Sequence, residues 1–256
     1  MATGSERMVG TEAERMTVVE HLTELRRRLI LALLALGLGV VVAFIFQNPI
    51  FEILKAPLDR APGVEARLIT LSPAEPFMTV LKVSVVAGLL LALPVVLWQF
   101  WAFVMPALYE SERKRVLPYA AFTTLLFLAG VAFGYFVVLP VGLAFLVGYG
   151  GDIFAQELRA SEYINFVSMF LLAFGVVFEM PAMLLLLASA GLVNHVILKR
   201  VRKYALLGIA VIAMILTPAD PFSMLLMMGP LYLLYELGII LTLLVDRRRV
   251  KREQAL

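Results

Sequence analysis

The chain contains no cysteine in 256 residues. Disulfides, thiolate metal sites and thiol nucleophiles are therefore excluded. It has two histidines, His21 and His195, each beside a charged stretch. A His-rich metal site or a Ser–His dyad at membrane depth is hard to assemble from them. No GxxxxGK[ST] loop and no GxGxxG run after a strand occurs, so nucleotide binding has no support. Charge is scarce as well. Charged residues make up 16%, against roughly 25% in an ordinary soluble domain, too few to build a polar shell. What is present is apolar: 62% of the residues are hydrophobic and the mean hydropathy is +0.93. These numbers exclude a soluble enzyme and point to an all-α, polytopic membrane protein.

A crossing takes about 20 residues, which leaves room for roughly six or seven helices and no soluble domain. Uncharged runs place them. Residues 29–46 form the first. Residues 83–109 form the second, with a start near Phe77 and Lys82 close to one interface. Residues 116–151 are too many for one crossing; Pro118 opens that run and Pro140 predicts its end. Residues 163–197, broken only by Glu179, form the fourth. Residues 204–219 form the fifth, and 221–245, interrupted by Glu236, the sixth. Six helices put both termini on one side. Arg7, Arg15, Arg26, Arg27, Arg28, Arg113, Lys114, Arg115, Lys199, Arg200, Arg202, Lys203, Arg247, Arg248, Arg249, Lys251 and Arg252 fall on that side. The other side has Lys55, Arg60, Arg67 and Arg159. Seventeen against four makes both termini cytoplasmic.

Residues 1–16 are polar and predict a disordered cytoplasmic N-terminus, not a signal peptide. Residues 17–245 read as one six-helix transmembrane domain, and 246–256 as a basic cytoplasmic tail. Thr17 and Glu20 make a capping box. Val18, Leu22, Leu25 and Leu29 follow at helical spacing, so an amphipathic stub should run into the first helix. The fifth helix, at sixteen residues, reaches only about 24 Å of a roughly 30 Å hydrocarbon core. With the tight turn Thr217-Pro218-Ala219-Asp220-Pro221, the last hairpin should sink toward one face and thin the bilayer around it. The long first outer loop, 47–76, carries Pro49, Pro57, Pro62, Pro73 and Pro76 and predicts an ordered cap or short helices. No internal repeat is evident.

Chemistry could live at a few charged positions. Glu179 lies at membrane depth, where an ionised carboxylate costs several kcal/mol unless protonated, hydrated or paired. It is either a polar contact or proton site, or a protonated Glu bonded to a backbone group freed by Pro181. Glu24 precedes Arg27 and Arg28 at i+3 and i+4, the spacing of an ordinary helix ion pair. Glu110 and Glu112 precede Arg113, Lys114 and Arg115, as in a solvated interfacial turn. Both clusters fall on one membrane face, however, and carboxylates offer bidentate sites for guanidinium groups. Glu236 anchors the last hairpin at an interface. Asp220 caps the helix that follows it. Trp98, Trp101, Tyr109 and Tyr119 read as an aromatic belt.

Several motifs together resemble the TatC family, the receptors of the twin-arginine protein translocase. They are His21-Leu22-Thr23-Glu24-Leu25-Arg26, Ala56-Pro57-Leu58 and Ser72-Pro73-Ala74-Glu75-Pro76-Phe77. Pro94 with Trp98-Gln99-Phe100-Trp101-Ala102-Phe103, and Pro106-Ala107-Leu108-Tyr109 with Glu112-Arg113, follow. Phe174-Gly175 with Glu179-Met180-Pro181, and Thr217-Pro218-Ala219-Asp220 with Ser223, complete the set, in order along the chain. Ser111 and Met224 depart from the His and Gln that other members carry there.

The resemblance implies a concave, glove-like set of six helices in a bacterial or archaeal cytoplasmic membrane. It implies binding of twin-arginine signal peptides of folded precursors at Glu24 and Glu112, with Arg26, Phe103 and Arg113 nearby. It makes Glu179 a polar residue on the concave side, and Pro57 and Asp220 structural residues of the outer turns. It implies TatA-like and TatB-like single-span partners at the last hairpin, with Thr217 in contact, and self-association in a receptor complex. Transport is driven by the proton-motive force. No cofactor, metal, nucleic acid or catalysis at this subunit is implied. The rival reading, a proton-coupled small-solute transporter using Glu179, wants more polar residues at mid-membrane and paired repeats.

Overall fold

A computed structural model describes residues 18–60, 67–108, 116–149, 157–217 and 221–253. Helix α1 (Val18–Ile45) runs unbroken through the predicted stub into the first apolar run. It packs along α3 (Glu75–Leu108). Two glycines set that approach: a Cβ on Gly39 would lie 2.3 Å from the Gly88 carbonyl oxygen, and one on Gly88 would lie 2.5 Å from Val40 N. Only glycine lets the two backbones touch here.

Helix α2 (Gln47–Asp59) lies in the first outer loop, for which the sequence predicts an ordered cap or short helices. Pro57 lies inside it and is buried, not in an open turn. A proline there has no N–H to give Ile53 O. The Tyr135 hydroxyl donates to that carbonyl instead, at 2.7 Å. Strands β1 (Arg67–Ile69) and β2 (Glu157–Arg159) pair in parallel, Arg67 opposite Glu157. They join the loops after α2 and before the fourth long helix. This end of the molecule is the cap side.

Helix α4 (Val116–Phe133) continues through a π-helical turn, Gly134–Val138, into α5 (Leu139–Gly148). Pro140 therefore does not end the helix, contrary to the sequence expectation. Its missing N–H and its ring would break a regular ladder. The wider π turn just before it absorbs the mismatch.

Helices α6 (Ala160–Phe178) and α7 (Met180–Ser189) meet at Glu179, one residue before the new ladder starts and two before Pro181. The pair ends at residue 189, short of the predicted 197. Gly191, at φ 78°, stops it. The Gly191 N–H donates to Ala188 O and the Leu192 N–H to Leu187 O, both at 2.9 Å, a Schellman closure. Asn194 then caps α8 (His195–Arg200), its side chain accepting from Ile197 N at 2.8 Å. Helix α9 (Arg202–Leu216) has 15 residues, and α10 (Pro221–Glu253) runs past the predicted 245.

Among the described residues five helices are long and apolar enough to cross a membrane: His21–Ile45, Glu75–Val104, Val116–Gly148, Ala160–Ser189 and Pro221–Asp246. Helix α9 spans about 22 Å at 1.5 Å per residue and is the short member of the last hairpin. The main core gathers on α6, where Val167 and Phe174 are fully buried against Leu139, Met227 and Leu231. A smaller cluster holds Trp101, Val116, Ala120 and Leu186. Trp101 is thus no belt residue. It is 1% exposed, and its Nε1 donates to Thr123 Oγ1 at 2.8 Å. A buried indole N–H needs such an acceptor. Trp98, by contrast, is 45% exposed.

Candidate functional site

The side opposite the cap carries the charged patch. There the start of α1 lies beside the end of α3. The His21 ring stacks on Phe103, with centroids 4.3 Å apart and planes 18° from parallel. Two turns further along α1, Arg28 Nε donates to Glu24 Oε1 at 3.0 Å, and its Nη1 reaches Gln99 Oε1 at 3.4 Å. The i+4 ion pair expected from spacing is therefore made, but not in open solvent: Arg28 and Glu24 are 21% and 17% exposed. Glu24 Oε2 is buried and has no hydrogen-bond partner among the described residues. Arg26 is exposed and Phe103 half-buried.

The structure thus brings Glu24 and Phe103 to one patch with Arg28, the partner expected from spacing, and adds His21 and Gln99, to which sequence reasoning gave no role there. Gln99, an amide inside an otherwise apolar run, was the available signal. Glu110, Glu112 and Arg113 lie outside the described residues, as do Tyr109 and Asp220. The described part of α3 ends at Leu108, four residues before Glu112.

Within the span, Glu179 closes α6 and opens α7. Its N–H donates to Val176 O at 3.1 Å and its carbonyl accepts from Met183 N at 2.9 Å, so its backbone is satisfied. Both carboxylate oxygens are buried without a partner among the described residues. The bland alternative, a side-chain bond to a backbone group freed by Pro181, is not made. Thr217 is buried at the end of α9, its hydroxyl donating to Ala213 O at 2.9 Å. Glu236 accepts from Arg202 Nη2 at 2.6 Å and ties α10 to α9. His195 is held by Asp246 Oδ2, at 3.0 Å from its backbone N–H and 2.6 Å from Nδ1.

The cap side carries a carboxylate to which the sequence reading gave no role. Glu75 accepts from Leu71 N at 2.9 Å, from Arg159 Nε at 3.0 Å and from Ser161 N at 3.3 Å. That hydrogen bond holds the Arg159 guanidinium above its ordinary pKa. One buried side chain thereby locks the turn before α3 to the strand before α6. No group of three His, Asp or Glu with metal-ligand geometry occurs among the described residues.

Residues 20–230 match the family model described as Sec-independent protein translocase protein (TatC). The chain belongs to the TatC family. A relative from Aquifex aeolicus with that same description is 42% identical over 243 residues, covering 94% of this chain and 100% of the relative. One from Desulforapulum autotrophicum is 42% identical over 229 residues, covering 90% and 85%. A crystal structure of the twin-arginine translocase receptor TatC superposes with a TM-score of 0.82 at 42% identity, covering 89% of this chain and 100% of that one. A second structure of that receptor, in the detergent DDM, gives 0.81 at 43% identity. This TatC chain is a multi-pass membrane component of a protein translocase. The rival solute-transporter reading is not favoured.

Proposed function

We propose that the patch where α1 meets α3 receives the paired arginines of twin-arginine signal peptides, through Glu24 and Glu112. The chain is the core receptor subunit of the twin-arginine translocation system, whose transport draws on the proton-motive force. The observation that carries the site reading is the state of Glu24. One oxygen is held by Arg28, and the other is desolvated and unpartnered among the described residues. A buried acceptor without a donor is costly, so an incoming guanidinium meets an acceptor that water does not satisfy. The His21–Phe103 stack supplies an apolar shelf beside it. Arg26, exposed on α1, and Arg113, next to Glu112 in sequence, assist the two carboxylates in holding the peptide.

The same reading makes this subunit a receptor and no catalyst. It places the chain in the bacterial or archaeal cytoplasmic membrane as a six-helix domain with both termini cytoplasmic. TatA-like and TatB-like single-span proteins dock at the α9–α10 hairpin near Thr217, and receptor subunits associate with one another. Glu179 serves as the polar point inside the span.

Arginine forms two parallel hydrogen bonds with a carboxylate, whereas lysine presents a point charge. Glu112→Gln removes charge and leaves one acceptor, so it weakens binding by about 1.5–3 kcal/mol, the worth of a charged hydrogen bond. Glu112→Ala costs at least as much. Raised salt weakens wild type more than the Gln variant, because the site is interfacial. The measurement is signal-peptide affinity for wild type, Glu24→Gln, Glu112→Gln and the double variant at two ionic strengths, with Arg-Arg and Lys-Lys peptides. Single variants that bind like wild type at low salt, with no Arg-Arg preference, defeat the carboxylate-receptor reading.

A further inference from the structure

We propose that the groove between α2, α3, α4 and α6 binds an anionic glycerophospholipid of the cap-side leaflet, with Lys82 as the headgroup contact. The groove holds about 500 Å³ and is walled by side chains such as Ile50, Ile53, Val86, Leu90, Leu128 and Leu171. Apart from Ser168 and Tyr135, whose hydroxyl is tied to Ile53 O, every lining side chain is apolar. Its depth fits one leaflet. The α3 wall runs from Val83 to Leu91, about 12 Å at 1.5 Å per residue. One leaflet contributes half of a roughly 30 Å hydrocarbon core. Acyl chains fill such a depth; a crossing helix would need a groove twice as long.

The charge sits where a headgroup would. Lys82 precedes Val83 and lies one helical turn from Val86, so it stands over the cap-side end of the groove. It is exposed, and no carboxylate pairs with it among the described residues. Helix α3 has 34 residues, about 51 Å of helix. Centred on a 30 Å core, it overshoots by about 10 Å, or seven residues, at each end. Seven residues from Glu75 is Lys82. Its ammonium therefore reaches the hydrocarbon edge and extends toward the phosphate layer. A point-charge donor beside an apolar slot one leaflet deep matches a phosphate headgroup with its acyl chains. The inference rests on embedding in a bilayer. It does not depend on the signal-peptide reading or on which side is cytoplasmic.

The test uses the purified full chain and native mass spectrometry, titrated with phosphatidylglycerol or phosphatidylcholine. Wild type should hold one phosphatidylglycerol under activation that strips phosphatidylcholine. Lys82→Gln should hold it about fivefold less well, the effect of one lysine at an anionic headgroup layer. Ala132→Phe, which fills the groove, should lose it, while Leu38→Phe on the outer surface of α1 should not. A phosphatidylglycerol with a photoreactive acyl chain should label wild type within 83–91 and 128–136, a readout that needs no variant. Equal retention of both lipids by wild type and Lys82→Gln means a loose lipid shell only and overturns the proposal. Labelling spread evenly over the outer helices overturns it as well.

Discussion

Two buried carboxylates of this chain have opposite surroundings. Glu75 takes three donors from three directions, and its charge is matched. Glu179 takes none among the described residues, though its backbone is fully bonded. A neutral, protonated Glu179 avoids the cost of a bare charge at that depth, and so does an amide. Glu179→Gln should therefore keep most export activity. Glu179→Arg adds a cation that costs about 2.5–3.5 kcal/mol on insertion scales and should lose far more. Glu179→Leu removes hydrogen bonding altogether and should fall between them. Export of a twin-arginine reporter measures the series; equal activity for all three would show that the site is not functional.

At the level of elements, proline and glycine decide where helices bend and touch. Pro140 is absorbed by a π turn, Pro181 breaks the ladder beside Glu179, and Pro57 leaves a carbonyl for Tyr135. The glycines divide by what faces them. Around Gly37 there is open space, whereas Gly88 lies against the backbone of α1. Gly88→Ala would drive a methyl into Val40 and should destabilise by about 1–3 kcal/mol, the usual cost of overpacking. Gly37→Ala meets nothing and should stabilise by up to about 1 kcal/mol through helix propensity. Thermal unfolding of the purified variants distinguishes them. Matching midpoints for the two would mean that α1 and α3 do not touch there.

Across the whole molecule the charge asymmetry asks for an even number of crossings, whereas helix length supplies five long spans and one short arm. Four long helices precede a hairpin whose first arm, α9, has 15 residues. If that arm crosses, it is shorter than the hydrocarbon core, and a thinner bilayer beside it would accommodate the mismatch. With six crossings, reporter fusions near residues 65, 155 and 219 should read outside, and those near 112, 200 and 250 inside. The fusion near 219 is the decisive one, since it asks whether so short an arm crosses. A reproducible inside signal there would leave five crossings and separate the termini.

The sequence alone settled what depends on composition and on neighbours along the chain. The apolar runs placed the long helices, because a bilayer demands about 20 apolar residues per crossing. Lone charges such as Glu179 stood out for the same reason. Glu24 with Arg28 was legible as an i+4 pair because helical neighbours lie at fixed spacing. Helix ends were less legible: Pro140 passed through and Gly191 stopped α7, because bulges and positive-φ closures depend on what packs nearby. Tertiary structure alone decided the partners distant in sequence. Arg159 is 84 residues from Glu75, and Gln99 is 71 residues from Arg28. Trp101 became a core residue only because Thr123 lay across from it. The groove beside Lys82 draws its walls from four helices, and no local pattern encodes a surface made of four separate faces.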